Sequence, residues 1–132
     1  MAKEEAAPSE SEWMIMEVLW EAPMSLTSSE IIQKLQKNKD MAPKMVRVLL
    51  NRLCRKNLVV YTLDPDDARV YHYSPVKKKE ECLRERTRKF TESYFSGNGV
   101  YAVAAFLQNV ALTEEQMQEL REILNTGRGE KD

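Results

Sequence analysis

The chain has little that suits chemistry on a bound substrate. Its 132 residues include one histidine, His72, and two cysteines, Cys54 and Cys82, far apart and outside any CxxC or CxC arrangement. This excludes a disulfide framework and the usual metal-ligand spacings. No nucleophile motif, phosphate loop or ligand cluster accompanies His72, so catalysis is rejected and no cofactor or metal is expected. There is no long apolar run either. The segment 93–113 is free of charge over a membrane-like length, but Ser, Gly, Asn and Gln interrupt it, and it reads as a buried helix. Met1 to Pro8 is acidic and Ala-rich, without the basic start and apolar core of a signal peptide, so a cytoplasmic protein is expected. Net charge is also nearly absent, at −1, and by itself says nothing about partners.

What is present is a globular composition, 42% hydrophobic and 31% charged, with an uneven charge distribution. Met1 to Glu30 carries seven acids and only Lys3. Ile31 to Leu63 carries Lys34, Lys37, Lys39, Lys44, Arg47, Arg52, Arg55 and Lys56 against Asp40 alone. A basic stripe inside a near-neutral protein attracts a polyanion, although a charge run can also be a solvated helix face.

Apolar periodicity orders the first half. Met1 to Pro8 reads as a frayed tail and 10–21 as a helix apolar on several sides, stopped by Ala22-Pro23. Met24-Ser25-Leu26 could be a very short strand. Thr27 and Glu30 have the spacing of a capping box, opening a helix with Ile31, Ile32 and Leu35 inward, which ends in the basic stretch through Lys39. Pro43 suits the first turn of a third helix, running to Lys56, with Val46, Leu49, Leu50 and Leu53 inward and Cys54 at the edge. At 100° per residue, Lys44, Val48, Asn51 and Arg55 fall together on its outer face, flanked by Arg47 and Arg52, with Met45 near Arg52. That face contains no acid. Leu58 to Leu63 and Arg69 to Pro75 form two β-rich runs joined by Asp64-Pro65-Asp66-Asp67-Ala68, a hairpin with Leu58, Val59 and Val60 packing and Tyr71 and Tyr73 on one face.

After Pro75 the chain turns helical. A charged helix runs from Lys77 to about Tyr94, broken by Gly97 and Gly99. The apolar stretch Val100 to Val110 follows, and Thr113 with Gln116 caps a last helix ending at Asn125-Thr126-Gly127. The fold class is therefore mainly α with a small β-hairpin, a winged helix-turn-helix domain followed by a helical dimerisation arm. The boundaries are a disordered tail over 1–8, a DNA-binding domain over 9–76, a three-helix dimerisation region over 77–125 and a polar tail over 126–132. The arm has little core of its own. Phe90, Tyr94, Val103, Phe106 and Leu107, with Val110, Met117, Leu120, Ile123 and Leu124, are its candidate dimer contacts, unless they fold back on the first domain.

Glu12-Trp13 and Leu19-Trp20 lie in the first helix, and the third carries the frame Lys44-x-x-Arg47-x-Leu49-Leu50-x-Arg52-Leu53-x-x-Lys56. Together with Tyr71-x-Tyr73-x-Pro75 and Leu120-Arg121-x-Ile123-Leu124, they resemble the penicillinase-repressor family of winged-helix regulators (BlaI/MecI/CopY type) from Ser11 to Asn125. The resemblance implies a homodimeric transcriptional repressor bound to an inverted-repeat operator in double-stranded DNA. Base contacts then fall on Lys44, Met45, Arg47 and Val48.

Met45 and Val48 depart from the family's usual threonines. They either meet thymine methyl groups or tuck against the neighbouring helix. Ala42 replaces a side-chain N-cap. Asp64, Asp66 and Asp67 at the wing tip would repel phosphates, which leaves Arg69 as the wing contact. The resemblance also implies relief of repression by a membrane-bound sensor protease system cutting at Ala105-Phe106, although the family's familiar asparagine is an alanine here. A tail without cysteine over 125–132 argues against direct copper sensing. The alternative function is a winged-helix adaptor for protein or RNA without operator recognition.

Overall fold

Ser9 starts the first helix by a reciprocal cap: the Glu12 amide donates to Ser9 Oγ at 3.2 Å, and the Ser9 amide to Glu12 Oε1 at 2.9 Å. In the computed structural model, which describes residues 7–38 and 41–131, this helix is α1, Glu10–Glu21. The frayed tail expected up to Pro8 is corrected in part. Ala7 and Pro8 are buried, because Lys56 Nζ donates to the Ala7 carbonyl and the Arg86 guanidinium to that of Pro8. Residues 1–6 lie outside the described part. Ile15, Met16 and Leu19 bury the inner side of α1, which meets the next two helices and the sheet. Trp20 packs edge-on against Trp13 and donates from Nε1 to the Lys77 carbonyl at 2.9 Å.

The short strand falls on β1, Leu26–Thr27, a little later than the sequence suggested, and Met24 is exposed. The Thr27–Glu30 box is formed in both directions, at 2.9 and 3.2 Å, and opens α2, Ser28–Asn38. Helix α3, Pro43–Arg55, has Pro43 in its first turn and no side-chain cap from Ala42. Its C-terminus is better secured. Asn57 takes a left-handed φ of 64°, while the Asn57 and Leu58 amides donate to the carbonyls of Cys54 and Leu53. This paired closure stops the helix and turns the chain into the sheet.

Strands β2 (Val59–Leu63) and β3 (Tyr71–Pro75) form an antiparallel hairpin, and β1 adds to the far side of β3, giving the order β1-β3-β2. Leu58 and Val59 are buried as expected. Val60 is exposed, because successive residues on a strand face opposite ways and β2 is an edge. One core joins Ile15, Ile31, Leu35, Val46, Leu50 and Leu53 with Leu26, Leu58 and Val59. Helix, strand, helix, helix and hairpin in this order make a winged helix-turn-helix.

The chain divides into two units, Met1–Thr87 and Arg88–Asp132, with the division inside α4, Lys79–Phe95. The first unit thus extends past Val76. Cys82 is fully buried in it, and Lys77–Glu85 and Lys79–Glu17 pair at 2.8 Å. In the second unit, Asn98 caps α5, Gly99–Asn109, by accepting from the Tyr101 amide. Thr113 and Gln116 cap α6, Glu114–Lys131, reciprocally.

Two expectations are corrected here. Helix α6, Glu114–Lys131, continues through Gly127, so most of the expected polar tail is helical. Glycine costs a helix about 1 kcal/mol relative to alanine but, unlike proline, does not bar its dihedrals. Helix α5 was expected to be buried, yet within one chain only Ala102 of it is, and Val103, Phe106 and Leu107 are exposed. No described helix is long and apolar enough to cross a membrane.

Candidate nucleic-acid interface

The spacing that buries Val46, Leu49, Leu50 and Leu53 turns the remaining side of α3 outward. Lys44, Arg47, Asn51, Arg52 and Arg55 are all exposed, and none of the four cations pairs with a described carboxylate. Met45 and Val48 share this surface at 47% and 37% exposure. Of the two readings the sequence left open, tucking against a neighbouring helix is therefore not what the fold does. An apolar pair stands in water within a cationic face.

Lys56 leaves the stripe to which its charge seemed to assign it. As the C-cap of α3 it points inward and holds Glu12 Oε1 at 2.7 Å, with side-chain exposures of 16% and 3%. Burial alone would raise the Glu12 carboxyl. The hydrogen bonds from Lys56 and Ser9 and the attraction of the ammonium outweigh it, so the group lies below the usual glutamate range. Sequence reasoning missed this pair. The available signal was Ser9-x-x-Glu12, a capping spacing that places a glutamate at the helix start facing inward.

The wing is knotted by its own acids. Asp64 Oδ2 accepts from the amides of Asp66 and Asp67, and its Oδ1 meets His72 Nε2 at 2.8 Å. The His72 contact, followed by the Asp66 amide, holds the Asp64 carboxyl below its ordinary range. His72 thus serves the turn. Arg69, the wing cation suggested by the sequence, is gripped by both oxygens of Asp67, at 3.0 and 3.1 Å. Between wing and helices lies an open groove of about 780 Å³, lined by Ser28 and Ser29 of α2, Arg47 and Asn51 of α3, and Arg69 and Tyr71 of the wing.

Among the described residues no cluster of His, Cys, Asp and Glu could hold a metal, and burial pushes both the Cys54 and Cys82 thiols up, away from the reactive thiolate.

The penicillinase-repressor family model matches residues 8–126. The chain belongs to that family. The family is one of transcriptional repressors and not of enzymes. The penicillinase repressor of Staphylococcus aureus is 28% identical over 95% of this chain and 96% of its own length. That of Bacillus licheniformis is 27% identical over 93% of each. The methicillin resistance regulatory protein MecI of Staphylococcus aureus (strain N315) is 26% identical over 89% of this chain and 92% of its own. Among solved structures, the DNA-binding domain of the repressor BlaI is 26% identical, with a TM-score of 0.51 over 61% of this chain and 93% of that one. The YusO protein of Bacillus subtilis, 24% identical, shares the fold at a TM-score of 0.50 over 92% and 74%. Two of the motifs that carried the resemblance are in contact, Glu12 of the first helix with Lys56, the last residue of the third helix's frame.

Proposed function

We propose that this repressor binds operator DNA as a homodimer, one α3 entering the major groove of each half of an inverted repeat. The observation that carries the reading is the outer face of α3, exposed, cationic and free of carboxylates. Lys44, Met45, Arg47 and Val48 at its N-terminal end take the base edges. Asn51, Arg52 and Arg55 continue along the groove. Residues 9–76, with the base of α4, form the reading unit, and the helices beyond, through 125, form the dimer arm.

The exposed Phe90, Tyr94, Val103, Phe106, Leu107, Val110, Ile123 and Leu124, with the half-buried Met117 and Leu120, favour pairing with a second copy. An apolar surface of this kind is stabilised by removal from water. The site of action is the cytoplasm. Relief of repression is by a membrane-bound sensor protease system cutting Ala105-Phe106. That bond lies inside α5, and proteolysis there requires local opening of the helix.

Selection of duplexes from a random pool by the full chain, with a parallel RNA pool, tests the reading. Inverted repeats with half-sites about 10–10.5 bp apart, or a multiple of that turn, are expected. Enrichment of RNA alone, or of no duplex, would sink it.

A further inference from the structure

The wing of this chain carries a single arginine, Arg69, paired with Asp67 at an exposed and otherwise acidic tip, and the wing lines the groove beside Arg47 and Asn51. Three tyrosines share the face turned to that groove. The cross-strand register pairs Tyr61 with Tyr73 and Leu63 with Tyr71, which brings all four side chains to one side of the hairpin. The Tyr61 and Tyr71 rings stack with centroids 4.4 Å apart and planes 11° from parallel, and Tyr73 leans on both at 6.0 and 6.2 Å. Stacking fixes the Tyr71 ring while leaving the residue exposed at the groove. Its hydroxyl meets no described hydrogen-bond partner.

Resting on the DNA-binding reading above, we propose that Tyr71, buttressed by Tyr61, is the wing's positioning contact to the DNA backbone. It is a neutral phenol donating to a phosphate oxygen where a wing would ordinarily present lysine or arginine. A phenol O–H held by a stacked neighbour is already oriented, so little side-chain freedom is lost on binding. The neutral donor also explains how an acidic wing tip is tolerated. The contact needs no positive field around it, and the acids occupy one another's donors in the turn. Because a phenol releases no counterions, this contact adds affinity without adding to the salt dependence.

The test compares the full-length wild type with Tyr71→Phe on a duplex selected by the wild type. Binding is measured over a salt series, alongside phosphate-ethylation interference. Phenylalanine keeps the stack, and thermal melting verifies that the fold is retained. We expect three- to tenfold weaker binding at every salt concentration, the size of one hydrogen bond, with an unchanged slope. The wild type is expected to show interference at one phosphate flanking each half-site that Tyr71→Phe no longer shows. Wild-type affinity for Tyr71→Phe with an identical interference pattern overturns the proposal and leaves the DNA-binding reading standing. A wild type showing no salt-dependent duplex binding and no interference overturns both.

Discussion

Glu12 and Lys56, 44 residues apart in sequence, meet at 2.7 Å and tie the start of α1 to the C-cap of α3. The contact is mostly sheltered from water, and Lys56 also holds the Ala7 carbonyl, so the same ammonium anchors the chain's entry into the fold. Removing one partner strands the other as an unpaired buried charge. Lys56→Ala, which leaves the nearly fully buried Glu12 carboxylate without its ammonium, is therefore expected to cost about 3–5 kcal/mol, read as a lower urea midpoint. Replacing both residues with methionine restores most of that loss.

The same pair makes stability depend on pH in a defined direction. The Glu12 carboxyl lies lower in the folded state than its ordinary value of 4.5. Its contribution is thus fully present above that value and is lost as pH falls through the lower folded one. Urea denaturation of wild type and Glu12→Gln between neutral pH and about pH 3 reads this directly. The stability gap is expected to be widest near neutrality and to close in acid; a gap that widens in acid would refute the assignment.

Lys44→Ala and Arg47→Ala each are expected to cost about 1–3 kcal/mol per half-site with relaxed discrimination at one base pair, measured by competition among operator variants. Uniform weakening across all sequences would instead assign that residue to phosphate anchoring.

Met45 and Val48 offer a methyl-specific test. If Val48 meets a thymine, replacing that thymine by deoxyuridine removes only the C5 methyl and weakens binding by the wild type. The penalty is expected to vanish in Val48→Ser. An unchanged affinity for the uracil duplex would show that the exposed valine reads nothing.

Phe106, 56% exposed on α5, is the arm residue best placed to report on pairing. Phe106→Asp places a charge in the proposed interface and is expected to halve the sedimenting mass at micromolar concentration. An unchanged mass would contradict the arm assignment.

Much of this was legible in sequence because local rules and tertiary structure agree. Thr27–Glu30 and Thr113–Gln116 cap the helices their spacing announced, and the inward stripe of α3 matches its burial. What escaped depends on distant partners. Nothing local in Lys56 distinguishes a groove-facing cation from one that reaches Glu12. Burial of Ala7 and Pro8 depends on donors from Lys56 and Arg86, far along the chain. Gly127 reads as a stop by propensity, yet no proline enforces one, and α6 runs on. The pinning of Arg69 by Asp67 needed the conformation of the turn, which composition alone does not supply.

The most direct test of the central claim is dimethyl sulfate protection on a duplex selected by the wild-type chain, since guanine N7 lies in the major groove. Protection of guanines in both half-sites, lost at one of them with Arg47→Ala or Lys44→Ala, is the expected result. Guanine N7 atoms that stay fully reactive with the protein bound would show that α3 does not enter the groove.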